Sequence, residues 1–148
     1  MDRLTSVVYI MKGRSPLSRL GVLDLSDGTL SDGTLSLRDA KDGGMLFAVP
    51  ASAVAVRPAQ RKFYETKRPG FEVQADDRWW SLVPYAIPAK YQRPGTRELI
   101  ERYHVLELAP RPAGMSEADY QRLTGNPTSH QALWAGCWLS VLGRGGAS

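Results

Sequence analysis

Short runs of alternating apolar and polar residues fill the first 90 positions, and turn-forming pairs punctuate them. Asp27-Gly28, Asp32-Gly33, Asp42-Gly43-Gly44, Pro69-Gly70 and Asp76-Asp77 recur at short intervals. The alternation between them predicts seven strands: Val7–Lys12, Arg19–Leu25, Thr34–Arg38, Met45–Val49, Ala53–Arg57, Gly70–Ala75 and Trp79–Val83. Strands so closely spaced build a barrel or sandwich from meandering hairpins.

Two hairpins can be set in register from the pattern alone. The segment Ser26-Asp27-Gly28-Thr29-Leu30 is repeated at once as Ser31-Asp32-Gly33-Thr34-Leu35. Five is an odd number, so a simple slip would swap the inner and outer faces. The solution that keeps the faces places Leu25 opposite Leu35 and Leu23 opposite Leu37, and extrudes residues 27–33 as a tolerated loop. With Asp76-Asp77 as the second turn, Val73 faces Trp80 and Phe71 faces Leu82 on one apolar face. Trp79 then lies opposite Gln74, and Ser81 opposite Glu72, on the other. The adjacent tryptophans therefore point to opposite sides: Trp80 belongs to the core, and Trp79 must be covered by another element or stand exposed.

Pro84, Pro88 and Pro94 mark the way out of the sheet, and the period then becomes helical. Thr96 can cap a helix whose stripe is Leu99, Ile100, Tyr103 and Leu106. Ser116-Glu117-Ala118-Asp119 opens a short helix with a capping-box pattern. Thr128 or Ser129 caps a last helix from about His130 to Leu142, with Leu133, Trp134, Cys137, Trp138, Val141 and Leu142 as its apolar positions. Residues 143–148, rich in glycine, are expected to fray as a flexible tail.

Composition narrows the class without naming a function. The 148 residues are 43% hydrophobic and 23% charged, a globular balance for one ordinary domain. The single cysteine, Cys137, excludes an intrachain disulfide and fits a reducing compartment. Met1-Asp2-Arg3-Leu4-Thr5 does not start a signal peptide, and Leu133–Leu142 is half the length of a membrane span, so the cytoplasm is the expected location. The net charge of +4 comes entirely from the first half: residues 1–70 hold 11 basic and 7 acidic side chains. Within it, Arg57, Arg61, Lys62, Lys67 and Arg68 surround only Glu65. This excess attracts anionic surfaces.

Catalytic chemistry is thin. Cys137 sits between Trp134 and Trp138 on an apolar helical face, which suits a buried small hydrophobe rather than an activated thiol. Glu101-Arg102-Tyr103-His104 is one Glu-x-x-His motif where di-iron bundles need two, together with further glutamates. No phosphate-binding glycine loop or nucleophile elbow is present. The expectation is a protein that is not an enzyme and uses no cofactor and no metal.

Four segments carry a family resemblance: Val7-Val8-Tyr9-Ile10-Met11-Lys12, Leu23-Asp24-Leu25-Ser26-Asp27-Gly28-Thr29-Leu30, Phe47-Ala48-Val49-Pro50 and Gly70-Phe71-Glu72-Val73-Gln74, the last followed by Trp79-Trp80-Ser81-Leu82. Their order resembles a pleckstrin-homology-like (PH-like) domain, most closely the bacterial and GRAM-like branches. The resemblance implies a mainly β fold with α, a seven-stranded two-sheet barrel capped by a helix. Residues 1–109 would be the barrel, with 97–107 plugging its mouth, and 110–142 a helical extension packed on it.

The resemblance also implies a non-catalytic module that binds proteins, lipids or peptides. Lys12, Arg14 and Arg19 would occupy the region where lipid-binding members carry their basic residues. Here Arg19-Leu20-Gly21 replaces the usual Arg-x-Arg pair. Three functions are therefore weighed. The first is docking of a protein partner, or a second copy of the chain, on a face that includes Trp79. The second is binding of anionic lipid through basic residues. The third is nucleic-acid binding through residues 57–68, where Arg61, Lys62, Lys67 and Arg68 flank Phe63 and Tyr64. No helix-turn-helix, zinc finger or RNP-type strand accompanies that segment, so its expected form is a loop between barrel strands.

Overall fold

The computed structural model describes residues 3–11, 19–26, 33–63, 66–86, 90 and 92–146. The chain is mainly β. Strands β1 (Arg3–Met11), β2 (Arg19–Ser26), β3 (Thr34–Asp39) and β4 (Met45–Pro50) form one meander. After a 3-10 turn at Ala51–Ala53, β5 (Ala55–Phe63), β6 (Thr66–Ala75) and β7 (Arg78–Pro84) form a second. Pairing of β1 with β7 joins the two into one antiparallel sheet, ordered β4-β3-β2-β1-β7-β6-β5, which curls into a half-barrel.

The hairpin registers follow the apolar alternation. Leu23 pairs with Leu37 and Leu25 with Leu35. Phe71 pairs with Leu82, Val73 with Trp80 and Gln74 with Trp79. Asp76 and Asp77 turn with φ of 52° and 62°, the left-handed pair of a type I′ hairpin. The proposed loop at 27–33 lies outside the described residues except for Gly33.

Three strands run well beyond the pattern: β1 begins at Arg3 rather than Val7, and β5 and β6 extend toward each other. The expected loop at 57–68 is strand in its described parts: β5 continues to Phe63 and β6 begins at Thr66. Pro69-Gly70 reads as a turn pair and Pro58 follows the expected strand end at Arg57, but each proline sits where its missing N–H costs no ladder bond to a second neighbour. Pro58 lies on the edge strand, and Pro69 lies before Phe71↔Leu82, where the pairing of β6 with β7 begins. At this crossing a side chain on Gly70 would come within 2.6 Å of the Leu82 carbonyl oxygen, so only glycine fits.

Three helices follow: α1 (Pro94–Tyr103), α2 (Glu117–Thr124) and α3 (Pro127–Gly146). Helix α1 starts with Pro94 at its first turn and Arg93 as cap residue, so Thr96 is not the cap but lies buried within the first turn. Ser116 caps α2 as its sequence indicates, accepting a hydrogen bond from the Asp119 N–H at 3.1 Å. Asn126, not Thr128 or Ser129, caps α3: its Oδ1 accepts from the Ser129 N–H at 3.0 Å. The helix then runs past Leu142 to Gly146.

The helices lie on opposite faces of the sheet. The concave face gathers Leu4, Val8, Ile10, Leu23, Leu25, Leu35, Leu37, Phe47, Phe71, Val73, Trp80 and Leu82. Helix α3 fills this hollow with Trp134, Trp138 and Leu142, all buried, and the Trp138 ring stacks on Phe71 at 6.4 Å. Helix α1 instead packs Leu99 and Ile100 against Val7 and Val22 in a separate, smaller cluster. Residues 97–107 are therefore not the plug; α3 takes that place. The reason is apolar payload: two tryptophans and a leucine bury far more surface than Leu99 and Tyr103 could.

Candidate functional site

The basic residues nominated by the sequence fall in separate places. Lys12 and Arg14 lie outside the described residues. Arg19 opens β2 and borders a cleft of about 410 Å³ between the β3–β4 turn and the start of α1. Lys41, Arg93 and Thr96 line the same cleft, with Leu20 and Leu99 as its apolar floor.

Local hydrogen bonding builds the cleft wall. The Asp39 carboxylate is buried and both its oxygens are engaged. Oδ2 meets the Arg19 guanidinium at 3.1 Å, and Oδ1 accepts the Lys41 N–H at 2.9 Å. One residue on, Asp42 Oδ1 accepts the Gly44 N–H at 2.7 Å, and Arg38 donates to the Gly43 carbonyl at 2.6 Å. Gly43 adopts the left-handed conformation this tight turn needs, with φ of 73°. Asp39 thus engages Arg19, and among the described residues Lys41 and Arg93 line the cleft without an ion-pair partner. The first turn of α1 holds no acidic residue to oppose them. Neither Lys41 nor Arg93 stands out in sequence. The available signal is their place, one in a turn between strands and the other just before Pro94-Gly95.

Trp79 is half-buried on the convex side of β7, opposite Gln74. Its cover is neither α2 nor α3 but Arg57, whose guanidinium lies 3.9 Å above the indole ring. Arg57 is held there by Glu72, at 2.6 Å from Nε to Oε1. Trp80 is buried on the other face, with Arg78 3.8 Å over its ring and its own N–H bonded to the Ala75 carbonyl at 3.2 Å.

Arg61, Lys62, Lys67 and Arg68 lie together in the β5–β6 hairpin. Arg61 stands opposite Arg68 in the ladder, and Lys62 opposite Lys67. Lys67 is exposed, and Arg68 donates to Thr128 Oγ1 in the first turn of α3 at 2.6 Å.

The nucleophilic and basic side chains have structural roles. His104 ends α1 in the left-handed conformation, with φ of 53°. His130 is buried, and its Nε2 accepts the Ala109 N–H at 3.0 Å; burial lowers its pKa and keeps the ring neutral. Burial pushes the Cys137 thiol up, away from the thiolate form. Among the described residues, no group of three or more His, Cys, Asp or Glu side chains could hold a metal ion. Nor is any helix among them long and apolar enough to cross a membrane.

Comparison of the chain with protein-family models, with curated proteins and with solved structures finds no match in any of the three.

Proposed function

We propose that the chain is a non-catalytic, PH-like interaction module whose cleft beside α1 takes an anionic group such as a lipid phosphate. The order of a four-stranded and a three-stranded meander, joined through β1 and β7, supports the PH-like reading. The observation that carries the ligand class is the convergence of Arg19, Lys41 and Arg93 on one cleft whose only carboxylate among the described residues is already spent on Arg19 and a backbone N–H. Lys41 and Arg93 supply point and planar donors that match phosphate oxygens.

Sedimentation with phosphatidylcholine vesicles, with and without an anionic lipid, tests this reading. The protein pellets with the anionic vesicles at low salt, and the Lys41→Ser/Arg93→Ser variant does not. Absence of pelleting at low salt removes the proposal.

A protein partner or second copy docked on Trp79 is the other reading, supported by the aromatic's position on an outer sheet face. Such a partner must displace Arg57 from the indole or use the stacked pair as one surface. Arg57→Ala distinguishes the two, since it uncovers Trp79 while leaving the cleft intact. Self-association measured by sedimentation velocity that rises in this variant favours Trp79.

A further inference from the structure

The cleft beside α1 holds one polar group that the fold leaves unused. Thr96 is buried, at 7% exposure, yet its hydroxyl has no hydrogen-bond partner among the described residues and opens on the cleft it lines. A hydroxyl in the first turn of a helix ordinarily caps that helix or bonds back to the nearby chain. Here the cap position belongs to Arg93, and no side chain caps the helix. Lys41 and Arg93 line the same cleft, and the first turn of α1 holds no acidic residue. Glu98, further along α1, is engaged by Arg102 at 2.9 Å. The N-terminal end of the helix adds the positive pole of its dipole. A side chain on Gly95 would meet nothing within 4 Å, so the cleft is open beside Thr96.

We propose that this cleft selects a terminal phosphate, a phosphomonoester, over a phosphate esterified on two sides, which rests on the cleft's being the anion site of the proposed function. A phosphomonoester carries a charge of about −1.5 to −2 and three acceptor oxygens. Lys41 and Arg93, without an ion-pair partner among the described residues, match that charge. A phosphodiester carries a single charge and leaves one of the two cations unbalanced. The oxygens divide in the same way. Arg93 offers a planar fork of donors, Lys41 a point charge, and the Thr96 hydroxyl a donor for the third oxygen. A diester has only two free oxygens, so Thr96 stays unsatisfied. Leu20 and Leu99 form the floor and favour no second charged group. Lipid headgroups and small soluble molecules both carry terminal phosphates, and the phosphate they share is what the cleft recognises.

The test is sedimentation of the full chain with phosphatidylcholine vesicles that carry phosphatidic acid, a monoester, or phosphatidylglycerol, a diester, at matched surface charge. A second arm titrates the chain with glycerol 3-phosphate or the diester glycerophosphoglycerol and follows the amide NMR signals of Lys41 and Thr96. The parent binds the phosphatidic acid vesicles about 10-fold more tightly, the worth of one hydrogen bond to a charged group. Thr96→Val removes the hydroxyl at nearly constant shape and loses this preference, whereas Thr96→Ser keeps it. Circular dichroism confirms that each variant is folded. Signals shifted by glycerol 3-phosphate and not by the diester, with no vesicle binding, identify a soluble ligand: the monoester selection stands and the lipid reading falls. Equal binding of both vesicle types by the parent leaves the anionic-lipid reading standing and overturns the selection, as does an unchanged preference in Thr96→Val. Binding to neither vesicle nor glycerol 3-phosphate overturns both.

Discussion

The indole N–H of Trp138 donates to the Ser6 hydroxyl at 3.0 Å, joining the last helix to the first strand inside the core. Both side chains are buried, at 0% and 1% exposure, so neither group has water as a substitute partner. Ser6→Ala leaves the indole N–H unsatisfied and lowers stability by about 1–3 kcal/mol. Trp138→Phe costs more, through lost packing on Phe71. The double variant costs less than the sum of the two, because the bond can be lost only once. Urea unfolding midpoints of the three variants check this.

Acid weakens the hold of α3 on the segment between α1 and α2. His130 accepts a backbone hydrogen bond through Nε2, and burial lowers its pKa from 6.5. The folded state therefore favours the neutral ring. The stabilisation is fully present above about pH 6.5, the ordinary value of the unfolded chain, and is lost as pH falls from there toward the lowered folded value. Thermal midpoints measured from pH 8 to pH 5 fall more steeply for the parent than for His130→Gln. Parallel slopes would show that the imidazole does not set the pH response.

The Asp76-Asp77 turn is built from two residues at positive φ, where a side chain is a burden. Asp77→Gly removes that strain without touching the Val73↔Trp80 register. The expected gain is up to about 1 kcal/mol, read as a higher denaturation midpoint with an unchanged slope.

The inner and outer faces of the hairpins were legible because alternation has a period of two and a wrong register would bury polar residues. Leu23, Leu25, Leu35, Leu37, Val73 and Trp80 therefore have the partners their spacing implies. The Pro69-Gly70 pair misled in β6, since a proline breaks a strand only where both neighbours need its N–H, and that depends on strand order. The roles of α1 and α3 were hidden for a related reason. Both carry an apolar stripe, and a stripe does not say which side of the sheet receives it. On β1 the choice passes between two successive residues: Ser6 bonds to α3 inside, and Val7 packs with α1 outside. Of the site residues, Arg19 was visible as a basic residue at a strand start. Lys41 and Arg93 come to it only through the fold.

Because the hollow of the sheet is filled by Trp134, Trp138 and Leu142, all seven strands leave the ribosome before the residues that dry their concave side. A nascent chain halted between Pro84 and Pro127 carries Phe71 and Leu82 facing water. Its half-built sheet is then a target for chaperones and for aggregation until translation resumes.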